Sequence, residues 1–163
     1  MRGPTRLIRF PNLTGTVILD ANKREFIGKY FDPNLPINDV AEFIRRDIAT
    51  AIEIGELSEG VYNVRVRERG IEVRIEDCSI NPFHPASLLY GMSVAVGWPS
   101  RRIYTPIGFR LLSKLELICS AYNRESWNAD KRQVDSHFSV LVRLSADFLN
   151  RCFSEFDTEG GGE

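Results

Sequence analysis

From Tyr62 to Asp77 the chain reads YNVRVRERGIEVRIED, with valine or isoleucine alternating with charge on both sides of Arg69-Gly70. Successive side chains of a strand point to opposite faces. Val64, Val66, Val73 and Ile75 therefore share one face, and Arg65, Arg67 and Arg74 share the other. A two-residue period fits half-buried strands and not a helix, so this stretch demands a hairpin with one apolar face to cover. With Arg69-Gly70 as the two-residue loop, the glycine supplying a positive φ, Val66 pairs with Val73 and Val64 with Ile75. Arg67 then opposes Glu72, whereas Arg65 opposes Arg74. Like charges directly opposite each other destabilise a strand pair, so a third group has to neutralise them. Glu72 and Glu76 lie on the diagonals; a helix laid across the sheet or a bound phosphate are the other sources.

Two amphipathic segments can cover the apolar face. The first runs from Asp39 to Ile54, with Asp39 as N-cap, Glu42 completing a capping box and Gly55 ending the helix. Val40, Ala41, Ile44, Ile48, Ala51 and Ile52 fall on one side of it, and Glu42, Arg45, Arg46 and Glu53 on the other. Asp47 projects into the apolar sector and has no Lys or Arg three or four residues away. A buried carboxylate must be paired or protonated, so a structural ion pair of Asp47 with Arg65 or Arg74 is expected. The second helix runs from Pro106 to Tyr122, with Thr105 as N-cap and Pro106 at the first position, where a missing N–H costs nothing. Ile107, Leu111, Leu115, Ile118 and Tyr122 form its stripe, and Leu117 lies off it on the polar side.

GTVILD (Gly15 to Asp20) reads as a strand paired with RLIRF in an N-terminal hairpin, and Phe31 to Pro36 as a connector. Val134 to Leu144 alternates and reads as one late strand, in a run whose alternation extends to Phe148. The expected fold is α+β in a single domain: a small antiparallel sheet from the N-terminal hairpin, the hairpin 62–76 and the strand 134–144, packed with the helices 39–54 and 106–122. Residues 1–30 form the N-terminal strand region, 31–156 the α+β unit, and 157–163 a polar, glycine-rich tail expected to be disordered.

At 163 residues the chain is long enough for one ordinary core without a metal or disulfide staple. Its formal net charge of -1 supplies no global field toward nucleic acid or anionic lipid. Seventeen of the 21 basic residues are arginine, however, so a local arginine patch remains available for carboxylate or phosphate. Cys78, Cys119 and Cys152 are widely spaced with no C-x-x-C, which signals neither a disulfide framework nor zinc. Residues 1–20 do not read as a secretory signal, and the apolar run from Ala86 to Trp98 is broken by two glycines and too short to span a bilayer. That run is expected in the core or an interface, with no membrane role. A reducing cytoplasm is the expected compartment.

Little in the chain points to catalysis. Asp135 and His137 share a face of the late strand, where a carboxylate could orient an imidazole, but no matched nucleophile accompanies them. The cysteines read as small apolar residues, and Gly160 to Gly162 lack the strand and helix of a phosphate loop. No enzyme, cofactor or metal is expected.

DVAEFIRRDI, then GVYNVRVRERGIEVRI, and much later YTPIGFRLLSKLELICSAYN resemble, in that order over residues 31–144, small proteins of actinobacteria and their phages. These are related to the large polyvalent protein-associated domains of phages and conjugative elements. The resemblance implies an α+β unit of helix, hairpin, helix and final strand, and a role in establishing a mobile element in a host, including countering its defences. It carries no catalytic residues. The function expected is a non-enzymatic interaction module that binds a host protein or a second copy of itself, using apolar surface such as Leu117 and SVAVGW. The alternative is a nucleic-acid binder using Arg65, Arg67 and Arg74 of the hairpin with Arg45 and Arg46 of the first helix. Against the latter stand only four lysines, acidic residues interleaved with the hairpin arginines, and the lack of an aromatic platform among them.

Overall fold

A computed structural model of the chain describes residues 6–8, 15–20, 23–85 and 103–159. The hairpin consists of β4 (Gly60–Arg67) and β5 (Gly70–Cys78). Its register differs from expectation: Val64 pairs with Val73, Val66 with Ile71 and Arg65 with Glu72, so the loop is Glu68-Arg69. Gly70 is needed for a different reason from the one the sequence suggests. It is the first residue of β5, where a β-carbon would lie 2.0 Å from Ser139 Oγ and 2.4 Å from Ser139 O. The close approach comes from β8 (Ser139–Leu144), which runs parallel to β5 and makes it the central strand of a three-stranded sheet. The shift preserves the parity of the side chains. Tyr62, Val64 and Val66, Ile71, Val73 and Ile75, and Val140, Val142 and Leu144 therefore share the core face.

Two helices cover that face. Helix α1 (Ile37–Glu53) starts two residues before the expected N-cap; Pro36 occupies the cap position and Asp39 lies in the first turn, so there is no capping box. Its end is as expected. Gly55 has φ 75, its N–H bonds to Ile52 O, and Glu56 N–H bonds to Ala51 O, the paired bonds of a Schellman motif. The predicted face is buried at Val40, Ala41, Ile44, Ile48 and Ala51. Helix α2 (Pro106–Ser120) has the expected cap: Thr105 Oγ1 accepts from Gly108 N–H at 3.0 Å. Its stripe is rotated, with Leu112 and Cys119 buried beside Leu111, Leu115 and Ile118, and Ile107 exposed.

The described residues form two sheets, not one. The second has five antiparallel strands in the order β1-β2-β3-β6-β7: β1 (Arg6–Ile8), β2 (Gly15–Asp20), β3 (Lys23–Gly28), β6 (Arg124–Asn128) and β7 (Gln133–Ser136). The expected pairing of RLIRF with GTVILD is present as β1 and β2. The late strand is broken at His137-Phe138, so that β7 belongs to one sheet and β8 to the other. Phe138 is buried at this corner, and its N–H and C=O both bond to the side chain of Asn123.

A third helix, α3 (Ala146–Glu159), was not expected. Ser145 Oγ caps it by accepting from Phe148 N–H at 3.2 Å. Phe153 stacks on Phe83 with ring centroids 4.8 Å apart, and Phe83 stacks on Tyr104 at 5.2 Å. Phe148, Leu149 and Cys152 join the same core. The helix includes Asp157 to Glu159, which corrects the disorder expected there; residues 160–163 lie outside the described residues. The outcome is the expected α+β domain with an additional helix and a divided sheet. No described helix is long and apolar enough to cross a membrane.

Candidate functional site

The outer face of the three-stranded sheet collects charge from all three strands. Residue parity places Arg65 and Arg67 of β4, Glu72 and Arg74 of β5, and Leu141 and Arg143 of β8 there. Glu72 is 3% exposed and lies beneath three guanidinium groups. Arg67 Nη2 is 3.2 and 3.3 Å from its two oxygens, Arg74 Nη2 is 2.9 Å from Oε1, and Arg143 Nη2 is 2.9 Å from Oε2. Arg74 also stands 4.0 Å from Glu76. Burial pushes the Glu72 carboxyl up, but hydrogen bonds and charge from Arg67, Arg143 and Arg74 outweigh it and hold it below the ordinary glutamate value.

The opposed arginine pair is present with a different member. Arg74 lies beside Arg143 of β8, and Glu72 supplies the counter-charge. Asp47 does not. It accepts a 2.7 Å hydrogen bond from the Tyr122 hydroxyl, so the expected ion pair with Arg65 or Arg74 is replaced by a neutral donor just past the end of α2. Burial, reinforced by the bond to Asp47, holds the Tyr122 phenol above its ordinary pKa. Tyr122→Phe is expected to cost about 1 kcal/mol, the net worth of one such hydrogen bond, in urea unfolding. Arg65 faces Glu72 across the strands, is exposed and holds no ion pair among the described residues.

The other candidates are placed elsewhere. Arg45 bonds to Glu42 and, at 2.7 Å, to Val64 O, where it ties α1 to β4. The Arg46 guanidinium sits 5.8 Å from the centre of the Phe43 ring. Leu117 is half-buried, and the Ala86 to Trp98 run, with SVAVGW, lies outside the described residues. Asp135 accepts from Asn128 and Gln133, while the His137 ring meets Phe31 edge-on at 5.1 Å, so the carboxylate is not aimed at the imidazole. Burial pushes the thiols of Cys119 and Cys152 up to about 12, which opposes thiolate formation. No metal-binding group of His, Cys, Asp and Glu occurs among the described residues.

Sequence reading missed Arg143. Its parity with Leu141 is legible in SVLVRL, but the parallel pairing that brings it to Glu72 joins segments separated by α2, β6 and β7. What the face can do follows from donor counting. Each guanidinium carries five N–H donors, and one carboxylate cannot occupy those of three. Four guanidinium groups stand against the carboxylates of Glu72 and Glu76, which leaves a surface suited to bidentate capture of further carboxylate or phosphate.

Glu72 also sets an acid response. Because its folded pKa is lowered, its contribution to stability is present above the unfolded value and lost as pH falls through the folded one. Arg67 and Arg143 keep 53% and 38% of their side-chain surface in water. Solvent screening therefore reduces the cost of Glu72→Gln to about 1–2 kcal/mol, below the roughly 3–5 of a fully buried pair. Urea unfolding across a pH series should show a constant difference between wild type and variant from neutral pH to about 4.3, shrinking below it. A difference independent of pH would remove Glu72 from this role.

No family model, curated protein or solved structure matches this chain.

Proposed function

We propose that the protein is a non-enzymatic interaction module that binds an acidic segment of a partner protein on the outer face of β4, β5 and β8. The observation that carries this reading is the set of guanidinium groups gathered over Glu72. The carboxylate limits the motion of three long side chains before a partner arrives, and pre-organisation of this kind lowers the entropy lost on binding. Leu141, exposed on the same face, adds apolar contact to arginine, a combination suited to protein interfaces. The resemblance to mobile-element domains makes a host protein the partner class and interference with host defence its consequence.

Nucleic acid is the second reading, favoured by the same four arginines. Against it, none of the described residues that the three strands place on this face is aromatic, so none can stack a base. Fluorescence anisotropy with a labelled Asp/Glu-rich decapeptide and a labelled single-stranded RNA, each across a salt series, separates the two. The peptide should bind more tightly, and Arg65→Ala should weaken it about tenfold, equivalent to about 1.4 kcal/mol. Thermal stability should stay within about 0.5 kcal/mol, because Arg65 is an exposed surface residue. Tighter RNA binding with a steep salt slope would favour the second reading, and binding of neither would remove both.

A further inference from the structure

A cleft of about 450 Å3 opens between the start of α1, the tip of the β4–β5 hairpin and the β7–β8 corner. We propose that it binds a small amphipathic anion: a single carboxylate or phosphate head on an apolar body. Its lining combines the apolar residues Leu35, Ile37, Val40 and Phe138 with the polar residues Arg69, Ser136, His137 and Ser139. These residues bring arginine, histidine and two serines to the cleft, and none of its described lining residues is acidic. Arg69 forms no ion pair with any described residue, so its charge remains available. Its volume falls in the range of small-molecule sites, which combine an apolar wall with a few placed polar groups.

The walls are fixed from behind. Asn123 holds Phe138 through both main-chain groups, at 2.9 and 3.2 Å. The hairpin tip is held where Arg69 begins, its carbonyl accepting from Ser139 N–H at 3.0 Å and Ser139 Oγ–H at 3.3 Å. His137 donates its backbone N–H to Arg124 O at 2.8 Å, and its ring is set against Phe31. A charged head meeting Arg69 would therefore bring its apolar body against Phe138 and Val40. This site is separate from the arginine face, which does not include Arg69, and it stands whether or not that face binds a partner.

Octanoate is the probe, titrated into the full chain labelled with nitrogen-15 and followed by amide chemical shifts. The expected result is saturable change at Ile37, Val40, Phe138 and Ser139. Arg69→Ala should weaken octanoate at least tenfold, and wild type should bind octanol, the same body without charge, at least tenfold more weakly than octanoate. Acetate, the head without the body, should be weaker by a similar factor. A spectrum of the Arg69→Ala variant that retains the wild-type pattern establishes that the exposed substitution leaves the fold intact. Shifts that do not saturate, or octanoate affinity unchanged by Arg69→Ala, would overturn the proposal, as would octanol binding as tightly as octanoate.

Discussion

Asn123→Ala is expected to destabilise the protein by about 3 kcal/mol, a large share of the roughly 5–15 that holds a domain together. Asn123 is buried, and its side chain makes three hydrogen bonds. It donates to Phe138 O at 2.9 Å and accepts from Phe138 N–H at 3.2 Å and Arg124 N–H at 2.9 Å. Truncation leaves the buried polar groups of Phe138 without these partners, at about 1–3 kcal/mol for each unsatisfied group. Water entering the gap offsets part of that, which sets the estimate near the middle. The position matters as much as the count. Asn123 O also accepts from Gly28 N–H at 2.8 Å, so this residue joins β3, the start of β6 and the corner between the two sheets. A midpoint lower by roughly 6–12 °C is expected in thermal unfolding; a change under about 2 °C would mean that the corner is held by other contacts.

Gly108→Ala sets two effects of opposite sign against each other. Alanine in place of glycine is worth at most about 1 kcal/mol of helix propensity, the value of a helix interior, and Gly108 lies in the first turn of α2. At this position a methyl group would lie 2.1 Å from Pro82 O, 2.6 Å from Pro82 Cα and 2.7 Å from Pro82 C. The obstacle is backbone and is itself tied down, since Pro82 O accepts from Thr105 N–H at 3.0 Å. Relief requires α2 to move away from the segment that also carries Phe83 into the core. Overpacking costs about 1–3 kcal/mol, and against immobile backbone the upper part of that range applies. The expected result is a net loss of about 2 kcal/mol in urea unfolding. A stabilised variant would show that α2 can separate from Pro82 freely.

The two effects differ in how well the sequence displays them. The N-terminal cap of α2 and the end of α1 were legible because Thr105, Pro106 and Gly55 act on neighbouring backbone. The faces of the hairpin were legible because parity survives a shift of register. The register itself was not. Gly70 resembles a turn glycine, and its actual role, admitting Ser139, depends on a strand distant in the sequence. The sheet switch at Phe138 and the role of Asn123 are concealed for the same reason: alternation continues through VDSHFSVLVRLSADF while the hydrogen-bonding partners change. Helix α3 had a local marker in Ser145 and Asp147, which that alternation outweighed.

The arginine face divides along the same line. Arg65, Arg67 and Arg74 could be placed on one surface from spacing alone, and the need for a counter-charge followed from crowding them. Which carboxylate answered it depended on tertiary contacts. Asp47 was a reasonable candidate by burial, but its helix covers the apolar side of the sheet, and Tyr122 reaches it there. Glu72, already on the charged side, needed only Arg143 to complete the cluster.

The central claim is that this cluster is a binding face and not only a structural ion network. Side-chain nitrogen-15 spectra resolve individual arginine Nε–H groups, and titration with the acidic decapeptide reports which of them meet it. The claim predicts shifts concentrated at Arg65, Arg67, Arg74 and Arg143, together with the Leu141 methyls. Arg45, Arg124 and Arg151, whose guanidinium groups are engaged with Glu42, Glu25 and Asp77, should remain in place. Perturbation spread evenly over all these arginines, or confined to residues off the outer face of β4, β5 and β8, would contradict it.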